Sequence, residues 1–338
     1  MSPRDLRALF ATNETDLVSE DIFTNRQSEW QSVRLSLDRL AERIRSGEID
    51  VQDVQKARRN VLVFYGVGGI GKSTLSQRIK NSLSRPESAP GQWEAPPSKA
   101  GKFLPVQVDM STKNGANLET VLLAVRLAVA ALAPRMPAFD LAFLRYWEDN
   151  HPGEPLDEYL RRHTLLSRYS SNEELRAQME SAVQEAAQTL TLPGLLGGLA
   201  TSGIRALVTM LRERHSKARA LAGCNRLPDL LEATPDLDAL SYYPHLLAWD
   251  LEQLPHKRRA QLVVLLDTFE DVSNRPDHEL ERLIQRMAWL MPATLFVFTG
   301  RDRLRWDDES LEGQLDWVGV HHWPQLLPGV AAPPARDC

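Results

Sequence analysis

Apolar residues recur along this chain at two spacings, and the places where the spacing changes mark out its elements. From Gln27 to Arg45, Trp30, Val33, Leu37, Leu40 and Ile44 stand three and four apart, which predicts one face of a helix. Val61 to Tyr65 is an unbroken apolar run of β-branched and aromatic residues, as in a buried parallel strand. A helix is expected from about Lys72, with Leu75 and Ile79 turned inward. Phe103 to Val108 predicts a second strand, and Val121 to Leu132 a helix carrying Leu122, Val125, Val129 and Leu132 on one side. From Ala138 to Leu254 only helical spacings are visible, among them Leu175, Met179, Val183, Ala186 and Leu190. Pro244 there suits the first turn of a helix running toward Leu254. Strand patterns return in QLVVLLDTFED, whose apolar run ends at Asp267, and in ATLFVFTGRDRL from Ala293. Leu280, Leu283, Ile284, Met287 and Leu290 predict a helix between the two.

Strands alternating with helices imply an α/β fold, a parallel sheet covered by helices on both faces. The expected divisions are a lead and helix over 1–57, a core over 58–137 and 255–327, a large all-helical insertion over 138–254, and a disordered tail over 328–338. Residues 85–101, rich in Pro, Gly and Ser, read as a surface loop. No internal repeat is visible.

Composition narrows the function classes. The formal net charge of −5 argues against a nucleic-acid surface, so the basic run HKRR at His256 reads as a solvated helix end. The two cysteines, Cys224 and Cys338, make neither a disulfide framework nor a zinc spacing. Charges in MSPRDLRALFATNETD occupy the place of a signal peptide's apolar core, so a cytoplasmic location is expected. The stretch Thr191 to Leu211 is apolar but broken by Arg205, a proline and four glycines; it reads as a buried helix with a glycine-rich lead-in, not a membrane span.

Candidate chemistry centres on Gly66-Val67-Gly68-Gly69-Ile70-Gly71-Lys72-Ser73, which fits the phosphate-loop pattern G-x-x-x-x-G-K-[ST] between a predicted strand and a predicted helix. Such a loop turns main-chain N–H groups around a phosphate at distances a Cβ would obstruct, and the following helix adds its N-terminal amides. In that reading Lys72 reaches the β- and γ-phosphates, Ser73 ligates Mg²⁺ and Thr74 helps hold the α-phosphate. Asp267, at the C-terminal end of an apolar strand, is the candidate metal anchor, acting through water. Arg301 leaves the last strand through Gly300; if that strand neighbours the first, Arg301 faces the γ-phosphate, with Arg303 and Arg305 as competitors. No nucleophile elbow, HExxH or paired-carboxylate signature is visible.

GVGGIGKST, LLDTFED and FVFTGRD together resemble the P-loop, Walker B and sensor-strand segments of the STAND-class NTPases, ATP-dependent signalling proteins related to the NB-ARC and AAA groups. DIFTNRQSEW is similar to the box that opens that family's nucleotide domain, and FDLAFLRYW to a helix of its bacterial members; the resemblance covers residues 21–325. It implies a P-loop NTPase fold, ATP or ADP with Mg²⁺ as ligands, Arg26 and Glu29 near the adenine, and a switch that meets a protein partner or self-assembles when ATP is bound. It also implies weak ATPase activity in signalling, regulation or defence. Two departures temper it. Relatives often carry an acid directly after the Walker B aspartate, where this chain has Thr268; Glu270, Asp271 or Asp109 are the possible substitutes, and slow hydrolysis is expected. The chain also stops 37 residues after Arg301, so a fragment, a reduced protein or half of a split system is expected. Two alternatives stay open: a P-loop small-molecule kinase with its acceptor pocket in 138–254, and a module that binds nucleotide without hydrolysing it. ATP is preferred to GTP because no guanine-reading element is visible.

Overall fold

The four strand-forming runs pair into one all-parallel sheet. This is a computed structural model. It describes residues 26–326 except 90, 92, 98–100, 112–115, 131, 134, 164–165, 167–174, 190–200, 214–221 and 256–258. The predicted lead, the glycine-rich part of the Thr191 stretch, most of HKRR and the tail lie outside the described residues. The strands are β1 (Val61–Tyr65), β2 (Lys102–Asp109), β3 (Ala260–Asp267) and β4 (Leu295–Gly300), in the order β1-β4-β3-β2. In chain order the helices are α1 (Gln27–Arg45), α2 (Lys72–Ser84), α3 (Leu118–Ala130), α4 (Pro137–Asn150), α5 (Leu156–Arg162) and α6 (Leu175–Thr189). They continue with α7 (Thr201–Glu213), α8 (Leu227–Glu232), α9 (Leu237–Leu240), α10 (Tyr243–Glu252), α11 (Glu270–Ser273) and α12 (Glu279–Leu290). No helix among the described residues is long and apolar enough to cross a membrane.

Side chains of a strand alternate between faces, so an apolar run serves two cores at once. Leu262, Val264 and Leu266 of β3 join one core; Val263 and Leu265, in the same strand, join the other. The second core is closed by Trp30, Val33, Leu37 and Leu40 of α1 and by Leu75 and Ile79 of α2, the inward positions read from the sequence. The exception is Ile44, which is 36% exposed. At about 1.5 Å per residue, α1 outruns the short strands it covers, so its last turn overhangs the edge where the strands begin.

The helical stretch is not a separate globule. Phe139 of α4 and Tyr243 and Leu246 of α10 share a core with Phe296 of β4 and Met287 of α12. Polar groups pin this layer. Arg126 of α3 and Asp140 of α4 are wholly buried and joined by two hydrogen bonds of 2.7 and 2.9 Å. Asp250 of α10 accepts the main-chain N–H of Phe139 at 2.9 Å, at the start of α4. Burial pushes both carboxyls above the usual range, against the pull of Arg126. Removing one partner from such a pair costs about 3–5 kcal/mol. The pair Arg305–Asp308, open to water, is screened and adds little to stability.

His245 in α10 is 4% exposed, and neither ring nitrogen has a partner among the described residues. Burial pushes its pKa from 6.5 down to about 4, with Arg226 and Arg58 adding to the effect. The unfolded chain therefore takes up a proton that the folded chain refuses. His245 costs no stability above pH 6.5 and on the order of 3 kcal/mol as the pH falls to 4. The variant His245→Leu is expected to show a flatter curve of urea-unfolding free energy against pH over that range. Equal slopes in both proteins would count against the assignment.

Candidate functional site

The C-terminal ends of all four strands are brought level by the sheet register. Tyr65 lies opposite Gly300, and Asp109 opposite Asp267. Strand β4 separates β1 from β3, so the glycine loop after β1 and the polar turn after β4 are neighbours, and Asp267 stands one strand further along.

In the loop, Gly69 and Gly71 both have φ of +81°, a left-handed conformation that side chains with a Cβ rarely adopt. Gly71 is the residue before α2, which has no side-chain cap and no acidic side chain in its first turn. The amides and positive dipole end of a 13-residue helix are thus left for an anion. Lys72 curls back over the loop, its Nζ donating to the carbonyls of Gly66 and Val67 at 2.8 Å each. Its pKa is lowered, burial being the largest cause; the Glu270 and Asp267 carboxylates oppose the shift, and the Arg301 and Arg26 guanidiniums add to it. Ser73 is exposed and Thr74 half-buried at the same helix start. Val67 is 72% exposed, at the loop's crest.

Two further groups face this loop. Arg26, the residue before α1, donates to the carbonyl of Ile70 and pairs with Glu29. The leading helix therefore grips the glycine loop directly. Arg301, with a 68% exposed side chain, places its guanidinium 3.8 Å from where a Cβ on Gly68 would stand. Its Nε is 3.3 Å from Glu270 Oε1, and its main-chain N–H donates to Glu270 Oε2 at 3.1 Å. Of the competing arginines, Arg303 is held by Asp307 and the Leu326 carbonyl, and Arg305 by Asp308. Arg301 alone of the three lies against the loop.

Asp267 is 6% exposed and accepts a hydrogen bond from the hydroxyl of Thr299 in β4. Thr299 was missed in the sequence reading, although a hydroxyl ending an apolar strand was the available signal. Thr268, immediately after Asp267, has φ of 58°, which strains a β-branched residue. That twist lets Phe269 donate its N–H to the Thr299 carbonyl at 3.0 Å and starts α11 with Glu270 against Gly300. Asp109 accepts from the N–H of Ser111 at 2.9 Å, on the far side of Asp267 from the loop.

One edge thus gathers main-chain donors, the Lys72 ammonium, the Arg26 and Arg301 guanidiniums, and the carboxylates of Asp267, Glu270 and Asp109. That set can hold a polyanion together with a divalent cation. Among the described residues no three His, Cys, Asp or Glu side chains form a metal cage. Mg²⁺ does not require one, since it binds through one or two carboxylates, waters and phosphate oxygens. Compared with protein-family models, curated proteins and solved structures, the chain matches none.

Strain at Thr268 can be read as stability. Thr268→Gly is expected to raise the unfolding free energy by about 1 kcal/mol in urea titration, because a left-handed residue without a Cβ carries no such penalty. A loss of stability instead would mean that the Thr268 side chain does more for the fold than its backbone angle costs.

Proposed function

We propose that the chain binds ATP with Mg²⁺ on the loop from Gly66 to Thr74, hydrolyses it slowly, and uses the bound nucleotide as a switch in signalling, regulation or defence. The observation that carries this is the meeting of the uncapped start of α2, Lys72, Asp267, Glu270 and Arg301 at one edge of a parallel sheet. Open α/β sheets bind their ligands at that edge.

Each residue then has a role. The amides at the start of α2 receive the β-phosphate, and Thr74 the α-phosphate. Lys72 exchanges the carbonyls of Gly66 and Val67 for phosphate oxygens. Ser73 and Asp267 would hold Mg²⁺, Asp267 through water, and the metal when bound would supply neutralisation of phosphate charge. Thr299 occupies one oxygen of Asp267 and so fixes how the other is presented. Arg301 leaves Glu270 for the γ-phosphate, and Glu270, released, accepts a proton from the water whose oxygen bonds to the γ-phosphorus as the bond from that phosphorus to the β-bridging oxygen breaks, releasing ADP and phosphate. Hydrolysis is slow because Thr268 supplies no carboxylate and Glu270 begins already paired. The Arg301–Glu270 pair is the element that the third phosphate re-sorts. A protein partner or a second copy would read that change, as the resemblance to STAND-class NTPases implies.

Calorimetry with ATP, ADP and GTP, with and without Mg²⁺, tests this reading. ATP and ADP are expected to bind in the presence of Mg²⁺, and Lys72→Ala to weaken ATP roughly ten- to hundredfold, the worth of hydrogen bonds to a charged group. Glu270→Gln is expected to keep ATP affinity and lower phosphate release. Well-folded protein giving no heat with any purine triphosphate would sink the proposal. Turnover that appears only with an added acceptor would move it to the kinase class.

A further inference from the structure

A cavity of about 500 Å³ opens at the other edge of the sheet, where β2, β3 and β4 begin. Its walls come from three directions. Ala41 and Ile44 of α1 close one side, Ala248 and Leu251 of α10 another, and Gln261 and Leu262 of β3 form the floor. Six residue steps along β3 separate Gln261 from Asp267 by about 20 Å, at 3.3 Å per residue. The cavity therefore takes no part in the phosphate chemistry proposed above. Its size lies within the range of about 300–1,000 Å³ typical of small-molecule sites.

Two observations indicate a ligand. Gln261 is 6% exposed, and neither its Oε1 nor its Nε2 has a hydrogen-bond partner among the described residues. A buried amide without partners is costly at a strand position that an apolar residue would fill. Ile44, inward-facing by sequence, is instead left with 36% of its surface exposed on the cavity wall. Two guanidiniums on the rim are held by hydrogen bonds of their own. Arg259 donates to the carbonyls of Leu254 and Glu252 at 2.8 and 2.6 Å, and Arg45 to Glu42 at 2.5 Å. Glu252 lines the cavity, and burial raises its pKa, with Asp50 adding to that. Gln261 itself offers one acceptor and one donor, so a carboxamide satisfies both of its amide atoms whereas a carboxylate, which only accepts, satisfies one.

We infer that this cavity is a second ligand site, for a small molecule with an apolar body and a carboxamide-like head that pairs with both amide atoms of Gln261. Benzamide, benzoate and toluene, offered without nucleotide, test the inference by saturation-transfer NMR; the result stands apart from whether ATP binds. Benzamide is expected to bind at least fivefold more tightly than benzoate. Gln261→Leu is expected to weaken benzamide at least fivefold while toluene still binds. Ala293→Trp, which fills the cavity from a turn, is expected to abolish transfer to both, with unfolding temperatures confirming that each variant folds. Absence of transfer to every probe in the wild-type chain, benzoate equal to benzamide, or binding unmoved by both variants would each overturn it.

Discussion

Level strand ends are the constraint on which the rest of this structure depends. Four parallel strands in register deliver the glycine loop, the Arg301 turn, Asp267 and Asp109 to one edge. None of these groups is near another in sequence, and no side-chain contact alone would hold them. The order β1-β4-β3-β2 matters as much as the register. With β4 in the middle, Thr299 can reach Asp267 on one side while Arg301 reaches the loop on the other. Main-chain hydrogen bonds across the sheet, each modest in net worth, bring these charged groups to one edge.

Those charges are also matched in sign. Lys72, Arg26 and Arg301 crowd one loop, yet each has an acceptor: two carbonyls for Lys72, Ile70 and Glu29 for Arg26, Glu270 for Arg301. A positively charged nest without a counter-charge would destabilise the loop, and these internal acceptors offset that. Elsewhere the chain spends buried charge on architecture. The Arg126–Asp140 pair and the Asp250 bonds join α3, α4 and α10 into one layer over the sheet.

Local order was legible in the sequence, and long-range order was not. Val61 to Tyr65 matches β1 residue for residue, because a buried parallel strand must be apolar on both faces and the glycines end it. Lys72 begins α2 and Pro244 sits in the first turn of α10, both from local backbone preferences. The pairing order of the strands has no local signature, so the adjacency of β1 and β4 entered only as a condition on Arg301. Ile44 lies on the predicted face and is nonetheless 36% exposed, because periodicity says which face a residue occupies, not whether the sheet extends beneath it. At the site, the residue types of the glycine loop, Asp267 and Arg301 were legible. The left-handed Thr268 and the Thr299 bond were not, since both depend on how β3 meets β4.

Helix α1 touches both edges of the sheet. Arg26 at its head holds the glycine loop through Ile70, and Ile44 in its last turn walls the cavity at the opposite rim. A 19-residue helix is about 28 Å long and barely compressible along its axis, so it behaves as a pushrod between the two. One unbroken element thus spans from the glycine loop to the rim where the strands begin.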